Sequence, residues 1–203
     1  MKYIAHRINA AEELKDVKEK YGVELDLRDD LNGNIYISHN PYEPGEDFAE
    51  YLKSYHHGTM ILNVKSERIE HKILELMEEN NLDDYFFLDS SFPMIYLLAS
   101  SGMKKSAIRI SELEGMDTAR NMKGQVEWIW VDCFTKIPID KNDEKMLHDW
   151  GYKLCFVSPE LQGRPEDIEE YAKFISENDI KFDAICTKVY NIPKWIDLGF
   201  AED

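Results

Sequence analysis

The 203-residue sequence predicts an α/β protein, a single compact (β/α)8 barrel over residues 1–203 with no inserted subdomain. Three observations carry that prediction. Short apolar runs alternate with amphipathic stretches in eight rounds, from one end of the chain to the other. The runs are rich in Val, Ile, Phe, Tyr and Trp, as strands covered by helices are. An open, doubly wound nucleotide-binding sheet is the runner-up, but its Gly-rich first turn is missing, and His6-Arg7-Ile8-Asn9 stands there instead.

The elements follow in order. Strand-like runs cover 3–8, 23–28, 59–66, 85–90, 106–111, 126–134, 153–158 and 182–188. Helix-like stretches follow them at 10–21, 45–55, 67–81, 92–101, 115–123, 141–150 and 165–178, with a weak last segment near 193–198. In Ile69-Ile73-Leu74-Leu76-Met77 and Ile168-Tyr171-Ala172-Phe174-Ile175 the apolar residues recur three and four apart, as on a helix packing one face on a sheet. Pro165 with Glu166 and Asp167 marks a helix start, where the macrodipole favours negative charge. Between Arg28 and Gly45, the Asn32-Gly33 pair and a short alternating run predict a hairpin extending the second strand, which returns His39 to the barrel mouth.

Composition narrows the function classes. With 24 Lys plus Arg against 40 Asp plus Glu, the net charge of −16 repels phosphate backbones and anionic bilayers. The most basic stretch, Lys104-Lys105, is one solvated pair, so neither nucleic acid nor membrane is an expected partner. No window offers the ~20 apolar residues of a spanning helix. The start, Met1-Lys2-Tyr3-Ile4-Ala5-His6-Arg7, lacks the features of a secretory signal, so the expected address is the cytoplasm. Cys133, Cys155 and Cys186 lie far apart in apolar runs and read as reduced, buried side chains.

In a (β/α)8 barrel the active site lies at the carboxyl ends of the strands, where ionisable groups are out of keeping with an apolar run. Here His6, Arg7, Glu24, Asp26, Arg28, Lys65, Asp89, Arg109, Glu112, Asp132, Glu160 and Lys188 stand at or just past such ends. On the second strand Val23, Leu25 and Leu27 alternate with Glu24, Asp26 and Arg28, which places two carboxylates and a guanidinium on one face, the barrel interior. Buried carboxylates need a cation, supplied by a bound Mg²⁺ or Ca²⁺, by Arg28 or by Lys65; a structural ion-pair network is the alternative. His6 and His39 suit acid–base work near neutrality. Trp128 and Trp130 share a face with Asp132 and either shape a substrate pocket or pack inside the barrel. Arg28, Arg109, Trp130, Asp132, Glu160 and Lys188 are thus the candidate pocket residues.

His6-Arg7, then Glu24-Leu25-Asp26, then His39 after a short hairpin, resembles the glycerophosphodiester phosphodiesterase family of the phosphatidylinositol-phosphodiesterase-like barrels. Leu62-Asn63-Val64-Lys65 and Ser90-Ser91-Phe92 extend the resemblance over roughly the first half of the chain. It implies cleavage of a small or polymer-attached phosphodiester, with His6 and His39 as general acid and base. It also implies Glu24 and Asp26 as ligands of a divalent cation and Arg7 on a phosphate oxygen; Lys65, where the family carries an acid, is expected as a second phosphate contact.

The chain departs from the family pattern at three positions. Ile8 replaces the family's Gly, Asn40 its Asp, and Lys65 an acidic metal ligand. Lys65 then either replaces part of the metal's charge, as in metal-independent relatives, or leaves Asp89 or Glu112 to complete a weak Mg²⁺ or Ca²⁺ shell. The expectation from sequence is the weak site. The passage from Pro41 to Gly58 has no room for the family's inserted subdomain, so glycerol-headgroup specificity is not carried over. A non-catalytic phosphate-binding barrel is the rival function, and hydrolysis and a cyclising lyase stay open as reaction types.

Overall fold

A computed structural model describes residues 1–202. Eight parallel strands form the barrel: β1 (Lys2–Ala5), β2 (Gly22–Asp29), β5 (Met60–Val64), β6 (Tyr85–Leu88), β7 (Ala107–Ile110), β8 (Trp128–Val131), β9 (Lys153–Val157) and β10 (Ala184–Thr187). Two short antiparallel strands, β3 (Ile35–Ile37) and β4 (Glu46–Asp47), extend the edge of β2. Neighbours pair in the circuit β1, β2, β5, β6, then β7 through β10 and back to β1. The seam between β6 and β7 is a single bridge, Phe87 to Ser106. The sheet thus closes as the eight-round alternation predicts.

The helices α1 (Phe48–Leu52), α2 (Glu70–Glu79), α3 (Phe92–Ser100), α4 (Met116–Asn121), α5 (Lys141–Asp149), α6 (Ile168–Glu177) and α7 (Ile192–Asp197) follow successive strands. Between them and the sheet lies the larger apolar layer, which includes Val23, Leu25, Leu27, Leu62, Ile73, Ile129 and Ile175. A second cluster fills the barrel itself, with Ile4, Ile61, Phe86, Trp128, Trp130, Cys155 and Cys186. Phe86 stacks on Trp128 with centroids 4.5 Å apart, a geometry worth ~1 kcal/mol beyond its area burial. Period-two alternation decides which residues enter this second cluster, and it turns Glu24 and Asp26 inward while their apolar neighbours meet the helices.

Two local features set the site's frame. A Cβ on Gly22 would lie 2.2 Å from the Thr59 carbonyl oxygen, so only glycine lets β2 begin this close to β5. The Asn32-Gly33 turn is present, with Gly33 at φ +78°, and Arg28 pairs with Tyr36 across the hairpin.

The predicted first helix is much shorter than its apolar spacing suggests. Only Ala11–Asp16 is helical, and it is a 3-10 turn. The His57 Nε2 sits 3.1 Å from the Leu14 carbonyl and 3.0 Å from that of Val17, groups that a continuing α-helix would have bonded along its own backbone. Likewise the start of the predicted 45–55 helix pairs instead as β4. The three cysteines are free and buried, and burial pushes the Cys133 thiol up to about 12. Among the described residues no helix is long and apolar enough to cross a membrane.

Candidate active site

The carboxyl ends of β1, β2, β5, β6 and β10 and the return of the β2–β3 hairpin bring His6, Arg7, Glu24, Asp26, Arg28, His39, Lys65, Asp89 and Lys188 to one mouth of the barrel. Glu24 is fully buried and Asp26 nearly so. The Glu24 carboxylate accepts from Asn63 Nδ2 at 2.7 Å and from the backbone N–H of Arg7 at 2.8 Å, while His6 Nε2 lies 3.6 Å away. Asp26 accepts from Asn9 Nδ2 at 2.9 Å and faces Arg7 Nε at 3.5 Å and Lys65 Nζ at 3.6 Å. Lys65 reaches on to Asp89 at 3.3 Å, and Arg109 holds the other Asp89 oxygen at 2.5 Å. The result is a row of alternating charge, Asp26, Lys65, Asp89 and Arg109, across four strand ends.

Two of these residues sit in the left-handed backbone region, Arg7 at φ 57° and Asp89 at φ 58°. A non-glycine residue there costs on the order of 1–3 kcal/mol, which the surrounding contacts must offset. At Arg7 the conformation aims the backbone N–H at Glu24.

Burial, and then the positive charges of Lys188, Arg7 and Lys65, push the His6 imidazole down to about 3, so it is neutral at physiological pH. Burial and the adjacent Asp26 charge push the Glu24 carboxyl up. His39 is half-buried, and its Nδ1 lies 2.9 Å from Asn40 Oδ1. Because the Asn40 amide nitrogen donates to Glu43, its oxygen faces the ring, so Nδ1 carries the proton and Nε2 is left free. Arg28 donates to the carbonyls of Lys65 and His39, which ties the hairpin return to β5. Lys188 Nζ touches only the His6 carbonyl, at 3.4 Å, and is in no ion pair among the described residues.

The remaining sequence candidates fasten loops and strand ends around the mouth. Glu112 accepts from the backbone N–H groups of Phe134, Thr135 and Lys136 and from the Thr135 hydroxyl. Burial acts to raise its carboxyl, but these bonds prevail and bring it down to about 2. It thus fastens the loop after β8 and is not brought to Glu24 and Asp26. Glu160 accepts from the Ser158 and Thr187 hydroxyls and from the Lys188 backbone N–H, and so holds the end of β10. Asp132 accepts from Gln162 and faces Arg109 at 3.6 Å. Trp130 packs in the barrel beneath the mouth.

The residues fit a divalent cation poorly. Among the described residues no three His, Cys, Asp or Glu groups cluster as a metal-binding set. Glu24 and Asp26 are the carboxylates at the centre, their neighbours on the next strand are Asn63 and Lys65, and Asp89 is held away between Lys65 and Arg109. An ammonium group 3.6 Å from Asp26 occupies space and charge that a third ligand would need.

Sequence reading missed Asn9, Asn63 and Gln162 as partners of the buried carboxylates. Asn63 was accessible to it, since Ile61, Asn63 and Lys65 alternate on the inward face of β5. Asn9 and Gln162 lie in irregular segments whose placement no periodicity announces.

No protein-family model and no curated protein sequence matches the chain. Solved structures do match over its full length. The chain is similar to an Oleispira antarctica phosphodiesterase solved with its product sn-glycerol-3-phosphate, at TM-score 0.70 and 13% identity, covering 97% of each chain. It is similar to a glycerophosphodiester phosphodiesterase from Agrobacterium tumefaciens, at TM-score 0.67 and 13% identity, covering 97% of this chain and 99% of that one. A glycerophosphoryl diester phosphodiesterase from Parabacteroides distasonis matches at TM-score 0.67 and 11% identity, covering 97% and 86%. The fold of this chain is therefore the (β/α)8 barrel of the glycerophosphodiester phosphodiesterases.

Proposed function

We propose that the protein hydrolyses a phosphodiester, with His6 and His39 exchanging protons and cationic side chains holding the phosphate. The observation that carries this reading is the neutral, half-buried His6 flanked by Arg7, Lys65 and Lys188 at the same mouth as His39. A phosphodiester brings one negative charge spread over two oxygens, which Arg7 and Lys65 match from the Asp26 side. A phosphate anion bound on Arg7, Lys65 and Lys188 offsets the positive charges that lower the His6 pKa, and the more basic imidazole then takes the proton of the attacking hydroxyl. His39, with Nδ1–H held on Asn40 Oδ1 and a second proton taken from solvent at Nε2, gives that second proton to the leaving alkoxide. The attacking hydroxyl belongs either to water or to the substrate, and product analysis distinguishes hydrolysis from cyclisation.

Lys65 acts here in place of a divalent cation. It neutralises the buried Asp26 and supplies positive charge on the phosphate side, so no step requires a bound metal. The test is product release from bis(p-nitrophenyl)phosphate and a panel of glycerophosphodiesters. His6→Ala and His39→Ala should each lower kcat/KM by about 10²-fold or more. Activity that both variants retain would sink the mechanism. The rival, a phosphate-binding barrel without catalysis, is favoured by Asn40, a neutral residue behind His39; absence of turnover on every diester, with phosphate binding intact, would establish it.

A further inference from the structure

Among the described residues, α3 is the one α-helix whose solvent side carries no charge. The outward sides of α1, α2 and α4 to α7 carry exposed Glu50, Lys72, Asp117, Lys145, Glu169 and Asp197 in turn. On α3 the exposed residues are Phe92, Pro93, Tyr96, Leu97 and Ser100, and no Asp, Glu, Lys or Arg occurs from Ser90 to Met103. Its inner side, with Met94, Ile95 and Leu98, is buried in the apolar layer against the sheet. A helix that is apolar all round calls for cover on both sides, and the barrel covers one.

The uncovered face is large. Phe92 is 52% exposed, Tyr96 61% and Leu97 52%, at spacings that make them neighbours on the helix surface. Leu113, 85% exposed, stands next to Glu114, which lines one cavity together with Phe92. An aromatic side chain offers ~200 Å² and a leucine somewhat less, so these four residues leave on the order of 500 Å² of apolar surface in water, toward the upper end of what a monomer shows. The same face from two copies gives about 1,000 Å², the size at which a specific interface begins, before any polar rim is counted.

Charge selects among partners for this face. At −16 the rest of the surface repels an acidic partner and draws a basic one to itself, away from a helix with no charge to offer. A second copy needs no opposite charge, because a two-fold axis sets the apolar face against itself. We infer that two copies of this chain pair through α3 about a two-fold axis, with Tyr96 and Leu97 at the centre of the contact and Phe92 and Leu113 beside them. The like net charges of the two copies oppose the pair, so salt, which screens them, strengthens it. Tyr96 and Leu97 take no part in the proposed proton transfers or phosphate contacts, so the pairing stands or falls apart from the catalytic reading.

Sedimentation equilibrium of the full chain, at concentrations up to about 100 µM and in about 0.05 and 0.5 M NaCl, tests this. A dimer should form, with a Kd at least about threefold tighter at the higher salt. A monomer at both salts overturns the inference, and so does a dimer that salt dissociates, since charge pairs would then hold it. Tyr96→Lys lowers the net charge, which alone would favour association, yet it places an unpaired charge in the contact once from each copy. It should weaken the dimer at least about 30-fold, and an undiminished dimer refutes the location. Tyr96 is exposed, so the variant keeps the fold, which circular dichroism verifies. Flotation with uncharged phosphatidylcholine vesicles covers the competing occupant: a monomer that floats with them, and ceases to in Tyr96→Lys, gives the face to a lipid surface and overturns the pairing.

Discussion

Replacing Lys65 with Glu should convert a site that rejects divalent cations into one that binds them. Lys65 Nζ lies 3.6 Å from Asp26, so a cation sharing that carboxylate would sit roughly 4 Å from the ammonium. At an effective dielectric near 20, unit charges 4 Å apart interact by about 4 kcal/mol, and a divalent ion doubles this to about 8 kcal/mol of repulsion. Since 1.4 kcal/mol is tenfold, even a quarter of that value weakens binding about 30-fold. Glu at 65 removes the repulsion and adds a third carboxylate on the strand next to Glu24 and Asp26, so the gain should exceed about 10²-fold. Lys65→Gln removes the repulsion alone and should show a smaller gain. Calorimetric titration with Mg²⁺ and Ca²⁺ at pH 7.5 reads the outcome directly, with circular dichroism verifying that each variant is folded. Submillimolar binding by the wild type, or no gain in Lys65→Glu, would refute the assignment of Lys65 to the metal's place.

Three further outcomes follow from the same geometry. His6 is pushed from 6.5 to about 3 on folding, so below pH 6.5 the unfolded chain takes up a proton that the folded one refuses, and stability is lost as pH falls toward 3. Urea unfolding at pH 7 and pH 5 should show about 2 kcal/mol less acid sensitivity in His6→Gln than in the wild type, and equal sensitivity would contradict the depressed imidazole. Glu112→Ala should destabilise the protein by about 2 kcal/mol through the freed β8 loop without gaining or losing cation affinity; altered cation affinity would place Glu112 in the site after all. Asn40→Asp should raise the basicity of His39 and move the alkaline limb of the rate profile upward by about half a unit or more, whereas an unmoved limb would remove His39 as the proton donor.

The parts of this molecule legible in its sequence are those governed by period. Alternation on β2 alone says that Glu24 and Asp26 face inward, and eight strand–helix rounds say that inward means the inside of a barrel. The hairpin that returns His39 is announced by Asn32-Gly33, because Gly33 takes the left-handed backbone, φ +78°, that closes the turn begun at Asp30. What period leaves open is which charged residue pairs with which. Glu112 and Asp89 look alike in sequence, each a carboxylate just past a strand, yet one fastens a loop and the other joins the row of charges at the mouth. The difference comes from loop paths that depend on tertiary contacts, such as the turn of Phe134 to Lys136 over the Glu112 carboxylate.

Lys65 shows how one position can redirect a whole site. Its inward face is fixed by the register of β5 on β2, where Asp26 pairs with Asn63 and Leu27 with Val64. With an acid there, Glu24 and Asp26 would make three carboxylates facing one space, an arrangement that only a multivalent cation satisfies. With lysine there, the charge is balanced within the chain: Asp26 faces Arg7 and Lys65, Asp89 faces Lys65 and Arg109, and Glu24, drawn toward its neutral form, accepts from Asn63 and Arg7. Lys188, which is in no ion pair among the described residues, then stands beside His6 at the mouth, which is where an anionic substrate completes the balance. Lys188→Met should for that reason weaken inorganic phosphate binding and, by removing a positive neighbour, raise the His6 pKa. Both are readable in one NMR titration of the imidazole with and without phosphate, and a His6 resonance indifferent to the substitution would show that the two groups do not share the ligand.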